Sequence, residues 1–133
     1  MTLDFQASVW TTVWARLELA FEACARRAQE LNPRVTMRWW HTGNDVFPFH
    51  ATAWVPQTGD EHEELVLSVA FPVREGDLHA QVDLMEEHGP ILQQLPSHNF
   101  GSMPKPEDIL GYLPHVERFI LDQSPRIAAA MEP

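Results

Sequence analysis

The sequence predicts a single α+β domain in which a four-stranded antiparallel sheet has a helical segment before and after it. Between residues 35 and 84, four short runs alternate apolar and polar residues and are joined by three turn-like breaks. Such alternation is typical of half-buried strands. One amphipathic helical stripe precedes the four runs, and a second, interrupted by proline, follows them. Because 133 residues is the usual size of one domain, we expect residues 1–133 to form one unit with the element order α-β-β-β-β-α.

The first helix is predicted over Asp4–Leu31. Glu22 and Arg26 form an i,i+4 pair in the favourable order on its polar face. Asn32-Pro33 ends the helix, because proline disfavours helical geometry at the residue before it. The apolar residues recur at steps of three and four, which places them on one face of the helix. They are Trp10, Val13, Trp14, Leu17, Phe21, Cys24, Ala28 and Leu31.

The first two strands are predicted over residues 35–42 and 47–55, with a Gly-Asn-Asp turn after the first. The alternation in the first strand does not decide whether Trp39 or Trp40 faces the core. Pro48 has no backbone amide for a sheet hydrogen bond. Regular pairing of the second strand is therefore expected to begin after it.

The third and fourth strands are predicted over residues 65–73 and 78–84, joined by a tight Glu75-Gly76 turn in which glycine supplies a positive φ. Pro72 is expected to limit the regular pairing of the third strand to the part before it. The connections between strands are short, whereas parallel neighbours need a crossover of a dozen or more residues. The sequence therefore predicts an antiparallel meander.

Beyond the fourth strand, the sequence predicts one short helical turn over Pro90–Leu95 and a loop over residues 96–106. A second amphipathic helix begins at Pro106, and Pro114 is expected to kink it or to divide it into two stacked short helices. Ser124-Pro125 is suited to begin a last helical turn.

Both helical segments are expected to pack on the sheet face that contains Leu67 and Val82, because each has only one apolar stripe. The opposite, open face mixes tryptophan, histidine, serine and other polar residues in place of plain solvating charge. Trp40 and Trp54 are the candidate anchors on this face, since rigid aromatic area gives much contact for little lost entropy. The predicted partner-binding residues are Arg38, Trp40, His50, Trp54, His79, Gln81 and Asp83.

Composition excludes several classes of function. The formal net charge is −10, from 19 acidic and 9 basic residues, and it repels phosphate backbones. We therefore expect no nucleic-acid partner. No apolar run reaches the length of about 18 residues that a membrane span needs, so no membrane partner is expected either. Cys24 is the only cysteine and forms no intramolecular disulfide. Together with the absence of a secretory signal pattern at the N-terminus, this predicts a cytoplasmic protein.

The sequence contains no phosphate-binding loop, dinucleotide fingerprint or nucleophile elbow, so no cofactor is expected. The seven histidines include no pair at the spacing of a zinc-protease motif, so no metal site is assigned. The tightest grouping of potential ion ligands follows the fourth strand, and the sequence leaves its ion binding open. It consists of Asp83, Glu86, Glu87 and His88.

The first functional hypothesis is a non-enzymatic, acidic protein-binding module that docks another protein through the open face. Small immunity proteins and secretion chaperones share its size and charge, but no motif connects the chain to either class. In the immunity-like case the partner is basic, and the charge of −10 speeds the encounter at low salt.

The second hypothesis is a small-molecule-binding domain or small enzyme. Its pocket would lie between the open face and the loop at residues 96–106, with His50, His79 and Asp83 as its polar groups. A third hypothesis is a homodimer that buries Trp40 and Trp54 against their symmetry mates. The sequence favours a non-enzymatic role but does not decide the question.

Overall fold

The computed structural model describes residues 3–44, 46–56 and 64–130, with side chains from residue 7 onward. Its elements are α1 (Leu3–Leu31), β1 (Arg38–Thr42), β2 (Phe49–Val55), β3 (Leu65–Phe71), β4 (Val73–Arg74), β5 (Asp77–Glu86), β6 (Ile91–Gly101), α2 (Pro106–Asp122) and α3 (Ser124–Ala130). The α+β class is confirmed, although the sheet has six strands where the sequence predicts four.

All neighbouring strands of the sheet are antiparallel. They follow the order β1-β2-β3-β5, and β5 also pairs with β4 and β6. β3 and β4 pair with successive parts of β5 and are separated only by Pro72, whose carbonyl still accepts a bond from the amide of His79 at 2.8 Å. The meander is thus confirmed, and Pro72 interrupts the pairing without ending it.

One turn prediction and one strand-pairing prediction are confirmed by the backbone. Glu75 and Gly76 both have positive φ, 54° and 81°, as a two-residue hairpin turn between right-twisted strands requires. Regular pairing of β2 begins at Phe49, directly after Pro48.

The prediction for residues 90–101 is wrong. The segment read as a helical turn and a loop forms β6, an edge strand that pairs with β5 through three register shifts. Pro96 and the shifts break the two-residue alternation, which is why the pattern did not predict a strand. An edge position tolerates a proline because one side of the strand needs no sheet partner. The hydroxyl of Ser97 donates to the carbonyl of Ala80 at 3.2 Å, next to this proline.

The core lies between the sheet and the helices. α1 contacts β1 and β2, α2 contacts β6, and α3 packs on α1 and α2. The predicted stripe of α1 is buried except at its margins, since Trp14 is half-buried and Leu31 is exposed. Trp39 turns toward Phe21 of α1, with ring centroids 6.4 Å apart, whereas Trp40 is 46% exposed. Trp39 is therefore the inward tryptophan of β1.

The C-terminal helical segment is bent, but α2 continues through Pro114 and the boundary with α3 lies at Gln123. A bent C-terminal segment is thus confirmed, whereas the alternative of two short helices that meet at Pro114 does not hold, because the boundary lies at Gln123. Proline at this position leaves the carbonyl of Leu110 without its helical amide. The guanidinium of Arg16 in α1 donates to that carbonyl at 3.4 Å and also pairs with Glu117. This link from α1 supplies part of the bonding that the proline removes.

Candidate docking face

The sheet face opposite the helices, here called the open face, is formed by every second residue of β1, β2, β3 and β5. The described helices all pack on the other face, so no described helix covers it. The seven predicted partner-binding residues all lie on this face. Its members are Arg38, Trp40, Thr42, His50, Thr52, Trp54, Val66, Ser68, Ala70, His79, Gln81, Asp83 and Met85.

One row across the open face is largely apolar. In the sheet register Arg38 is opposite Trp54, Trp54 opposite Val66, Val66 opposite Met85, and Met85 opposite Ile91. Neighbouring strands lie about 4.8 Å apart, so these side chains form a continuous band across five strands. Ile91 at the end of the band is 49% exposed.

Two contacts hold the tryptophan of this row in place. The guanidinium of Arg38 lies over the Trp54 ring, 4.5 Å from its centroid, as in a cation–π contact. The indole Nε1 of Trp54 donates to the Glu64 carboxylate at 2.7 Å. Trp54 is therefore preorganised, with its polar atom already bonded and part of its ring area still accessible.

Trp40 lies at the edge of the open face, in the next row. It borders a cavity of about 600 Å³ that runs along β1 and includes residues from both sides of the strand. The lining residues are Met37, Arg38, Trp39, Trp40 and Trp54. The two tryptophans singled out from the sequence thus share one apolar concavity with a third, Trp39.

A polar cluster occupies the middle of the open face. The imidazole Nε2 of His50 lies 2.8 Å from the Ser68 hydroxyl, and Ser68 is directly opposite Asp83 in the register of β3 and β5. Asp83 is only 6% exposed, and its Oδ1 has no hydrogen-bond partner among the described residues. Burial of a carboxylate oxygen without a hydrogen-bond partner lowers the stability of the folded protein.

The environment shifts the pKa of both ionisable members of the cluster. Burial lowers the pKa of His50 from 6.5, and the neighbouring Asp83 partly opposes this effect. Burial raises the pKa of Asp83 from 3.8, and His50 partly opposes it. For each group, the loss of hydration on burial has a larger effect on the pKa than the attraction between the two opposite charges. The pair is thus not a compensated buried ion pair.

The cluster contains the side chains of a Ser-His-Asp triad in the wrong spatial order. A triad needs histidine between the nucleophile and the carboxylate, but here Ser68 on β3 lies between His50 on β2 and Asp83 on β5. In addition, β3 is paired on both sides, so its amides are engaged in the sheet and do not form an oxyanion hole. The arrangement therefore does not favour acyl transfer.

The remaining predicted site residues lie apart from the cluster. His79 is opposite Asn99 of β6 and is separated from His50 by two strand spacings and two residues, a distance of about 12 Å. Gln81 accepts a bond from Arg74 at 2.7 Å. The structure therefore does not bring His50 and His79 together as the polar groups of one pocket.

Residues 96–101 of the loop expected to wall that pocket belong to the strand β6, so most of this predicted wall is part of the sheet itself. A cavity of about 430 Å³ lies around Trp14 and Phe49, and another of about 250 Å³ lies between β6 and α2. Neither cavity is lined by His50 or His79.

Cys24 is fully buried, and burial raises the pKa of its thiol to about 12 although Arg27 opposes the shift. It is a structural side chain and not a nucleophile.

Among the described residues, no group of three or more His, Cys, Asp or Glu is arranged to hold a metal ion. The grouping noted after the fourth strand is divided by the sheet: Asp83 is opposite Ser68, whereas Glu86 is opposite Leu65 of the core-facing set. These two carboxylates leave the strand on opposite sides.

Sequence reasoning missed three contributors to the open face. Met85 was not recognised because the fourth strand was expected to end at Leu84, one residue before it. Ile91 and Gln94 belong to β6, which was not predicted. The signal for Met85 was present in the sequence, since it continues the outward positions His79, Gln81 and Asp83 at the two-residue period.

Comparison of the chain with protein-family models, with curated proteins and with solved structures found no match. In the described part of the chain, no helix has the length and apolar character to cross a membrane.

Proposed function

We propose that this protein is a non-enzymatic binding module that docks another protein through the open face. The observation that carries the proposal is the continuous row of Trp54, Val66, Met85 and Ile91 with Trp40 beside it, on a face that no described helix covers. Exposed apolar patches rimmed by polar residues mark interaction sites. Aromatic anchors near such a patch dominate the binding energy of many interfaces.

Charge indicates the kind of partner. With a net charge of −10, the protein attracts basic proteins and repels nucleic acids over distances up to the Debye length, about 8 Å at physiological salt. The proposal is therefore an acidic accessory protein with a basic partner, associating faster at low salt. A cytoplasmic setting fits this role, because the single cysteine is a buried thiol and not half of a disulfide.

The test is affinity capture from a lysate of the source cells with three forms of the tagged protein. Met85→Glu places a charge in the apolar row, whereas Leu19→Glu changes an exposed leucine of α1, 67% accessible, away from the open face. The proposal predicts that the wild type and the Leu19 variant retain one stoichiometric basic protein at low salt and that Met85→Glu loses it. Equal capture by all three forms would refute docking through this face.

A small-ligand or enzymatic role has less support. The polar cluster has the wrong order for nucleophilic catalysis, and the cavity of about 600 Å³ beside this face is lined mainly by tryptophans at the edge of the sheet. A ligand site of that kind would be expected to bring convergent polar groups into a concave space.

A further inference from the structure

We infer that the free edge of β1 pairs with β1 of a second copy of this chain, so that two sheets join into one across a two-fold axis. This inference concerns the edge of the sheet and does not rest on the proposed function of its open face. In the described part of the chain β1 pairs only with β2. Its outer edge therefore has no strand partner there.

β1 has few of the features by which natural sheets protect an exposed edge. Proline, charged side chains (above all lysine), bulges and short or covered strands oppose edge-to-edge pairing. Of these β1 has one charged side chain, Arg38, whose guanidinium lies over the Trp54 ring. β1 has the sequence Arg-Trp-Trp-His-Thr, with no proline, lysine or acidic residue, and its register with β2 is continuous. The opposite edge strand, β6, contains Pro96, has three register shifts and is contacted by α2. The two edges of the same sheet thus differ sharply in protection.

The strand is also bordered by an apolar concavity. The cavity of about 600 Å³ lies along β1, and its lining includes Trp39, Trp40 and Trp54, with Arg38 as its one charged residue. An added strand on this edge would cover exposed tryptophan area and bond backbone groups at the same time. This combination is the one used in β-strand addition, where the main chain supplies affinity and side-chain pockets supply specificity.

A second copy fits this edge because the strand is complementary to itself. In the antiparallel register centred on Trp40, the tryptophan meets its own mate on the open face. Trp39 meets His41 of the other copy on the opposite face, and Arg38 meets Thr42. Aromatic cross-strand pairs are favourable, and like charges directly opposite one another are not. In this register Trp40 is opposite Trp40 and Trp39 is opposite His41, so aromatic rings face each other on both sides of the sheet. No arginine is opposite another arginine.

The local charge of this edge is compatible with pairing between two acidic chains. From residue 31 to residue 44 the chain contains no aspartate or glutamate but includes Arg34 and Arg38, although the whole chain has a net charge of −10. Two copies that meet at β1 therefore approach through a segment that has basic and no acidic side chains. Contact at this segment places no carboxylates of residues 31–44 against each other.

The register makes a distance prediction for introduced cysteines. Trp40→Cys would place two Cα atoms directly opposite each other, about 4.5–5.5 Å apart, within the range of a disulfide. Thr42→Cys would place them four residues apart along the strands, about 13 Å, beyond that range. With diamide as oxidant we expect the first variant to form a disulfide-linked dimer and the second to remain unlinked. The native Cys24 is fully buried and does not contribute.

Sedimentation equilibrium of the full chain supplies the second readout. We expect the wild type and Leu19→Lys, a matched change at an exposed leucine of α1 away from the sheet, to show a concentration-dependent dimer. Trp40→Lys should be monomeric with an unchanged circular-dichroism spectrum. A wild type that stays monomeric from about 10 µM to about 1 mM would overturn the inference. A Thr42→Cys variant that links more readily than Trp40→Cys would overturn it as well.

Discussion

Replacing Asp83 by asparagine is expected to stabilise the folded protein at neutral pH. The aspartate is 6% exposed, its Oδ1 lacks a hydrogen-bond partner among the described residues, and burial raises its pKa from 3.8. A buried polar group without a partner costs about 1–3 kcal/mol, and more if it is charged. Asparagine keeps the shape and removes the charge but still buries a polar amide. We therefore expect a gain of about 1–2 kcal/mol in the free energy of unfolding.

The pH dependence has a definite sign. Because the folded-state pKa of Asp83 is raised, its favourable contribution is present below the unfolded value of 3.8 and is lost as the pH rises through the folded-state value. The advantage of Asp83→Asn should therefore be small near pH 3 and should grow toward about pH 7. Both proteins would be unfolded in urea at several pH values with tryptophan fluorescence as the probe.

Asp77→Asn is the matched control, because Asp77 is on the same strand but already accepts a bond from Asn99 at 3.1 Å. It is not expected to stabilise the protein. A loss of stability in Asp83→Asn at neutral pH, or a difference in unfolding free energy from the wild type that does not change with pH, would contradict this expectation. Either result would show that interactions in the folded protein offset the burial of the Asp83 carboxylate.

Three further outcomes are expected. Arg16→Met removes the half-buried link from α1 to Glu117 and should lower the free energy of unfolding by about 1–3 kcal/mol. Arg26→Met removes a more exposed ion pair and should change the free energy of unfolding by less than about 0.5 kcal/mol. Equal effects of the two variants in denaturant titrations would contradict this expectation. Because burial lowers the pKa of His50, the stability of the folded protein should fall as the pH drops below 6.5 toward the pKa of His50 in the folded state. His50→Gln should reduce that fall, and thermal melts across this pH range would measure it. Cys24 should react with a thiol reagent only on unfolding, since burial raises its pKa to about 12, and rapid labelling of the native protein would disprove its buried position.

The sequence predicted those parts of the fold in which a local pattern and the tertiary environment agree. The stripe of α1 and the alternation of β3 are such cases, because one face of each element is buried throughout. The strand β6 was missed because its pairing adapts to Pro96 by register shifts, so its local pattern lacks the two-residue period. Whether an edge segment forms a strand depends on the strand beside it, and the local sequence of the segment carries no information about that neighbour.

The prediction of the site was limited by the same physics. The two-residue period placed His50, His79 and Asp83 on one face, but it gives no information on which strands are neighbours. The proximity of His50, Ser68 and Asp83 depends on β3 lying between β2 and β5, which is a property of the topology. The carbonyl of Leu110, which Pro114 leaves without a helical amide, likewise finds a donor through a long-range contact with Arg16.

Hydroxyl-radical footprinting of the free and the partner-bound protein is the most direct test of docking through the open face. Tryptophan and methionine are readily oxidised side chains, and Trp40, Trp54 and Met85 all lie on the open face. Met103, 86% exposed in the segment between β6 and α2, is the internal reference. We expect binding to reduce oxidation of the three open-face residues and to leave oxidation of Met103 unchanged. Unaltered oxidation of Trp40, Trp54 and Met85 in a stoichiometric complex would contradict it.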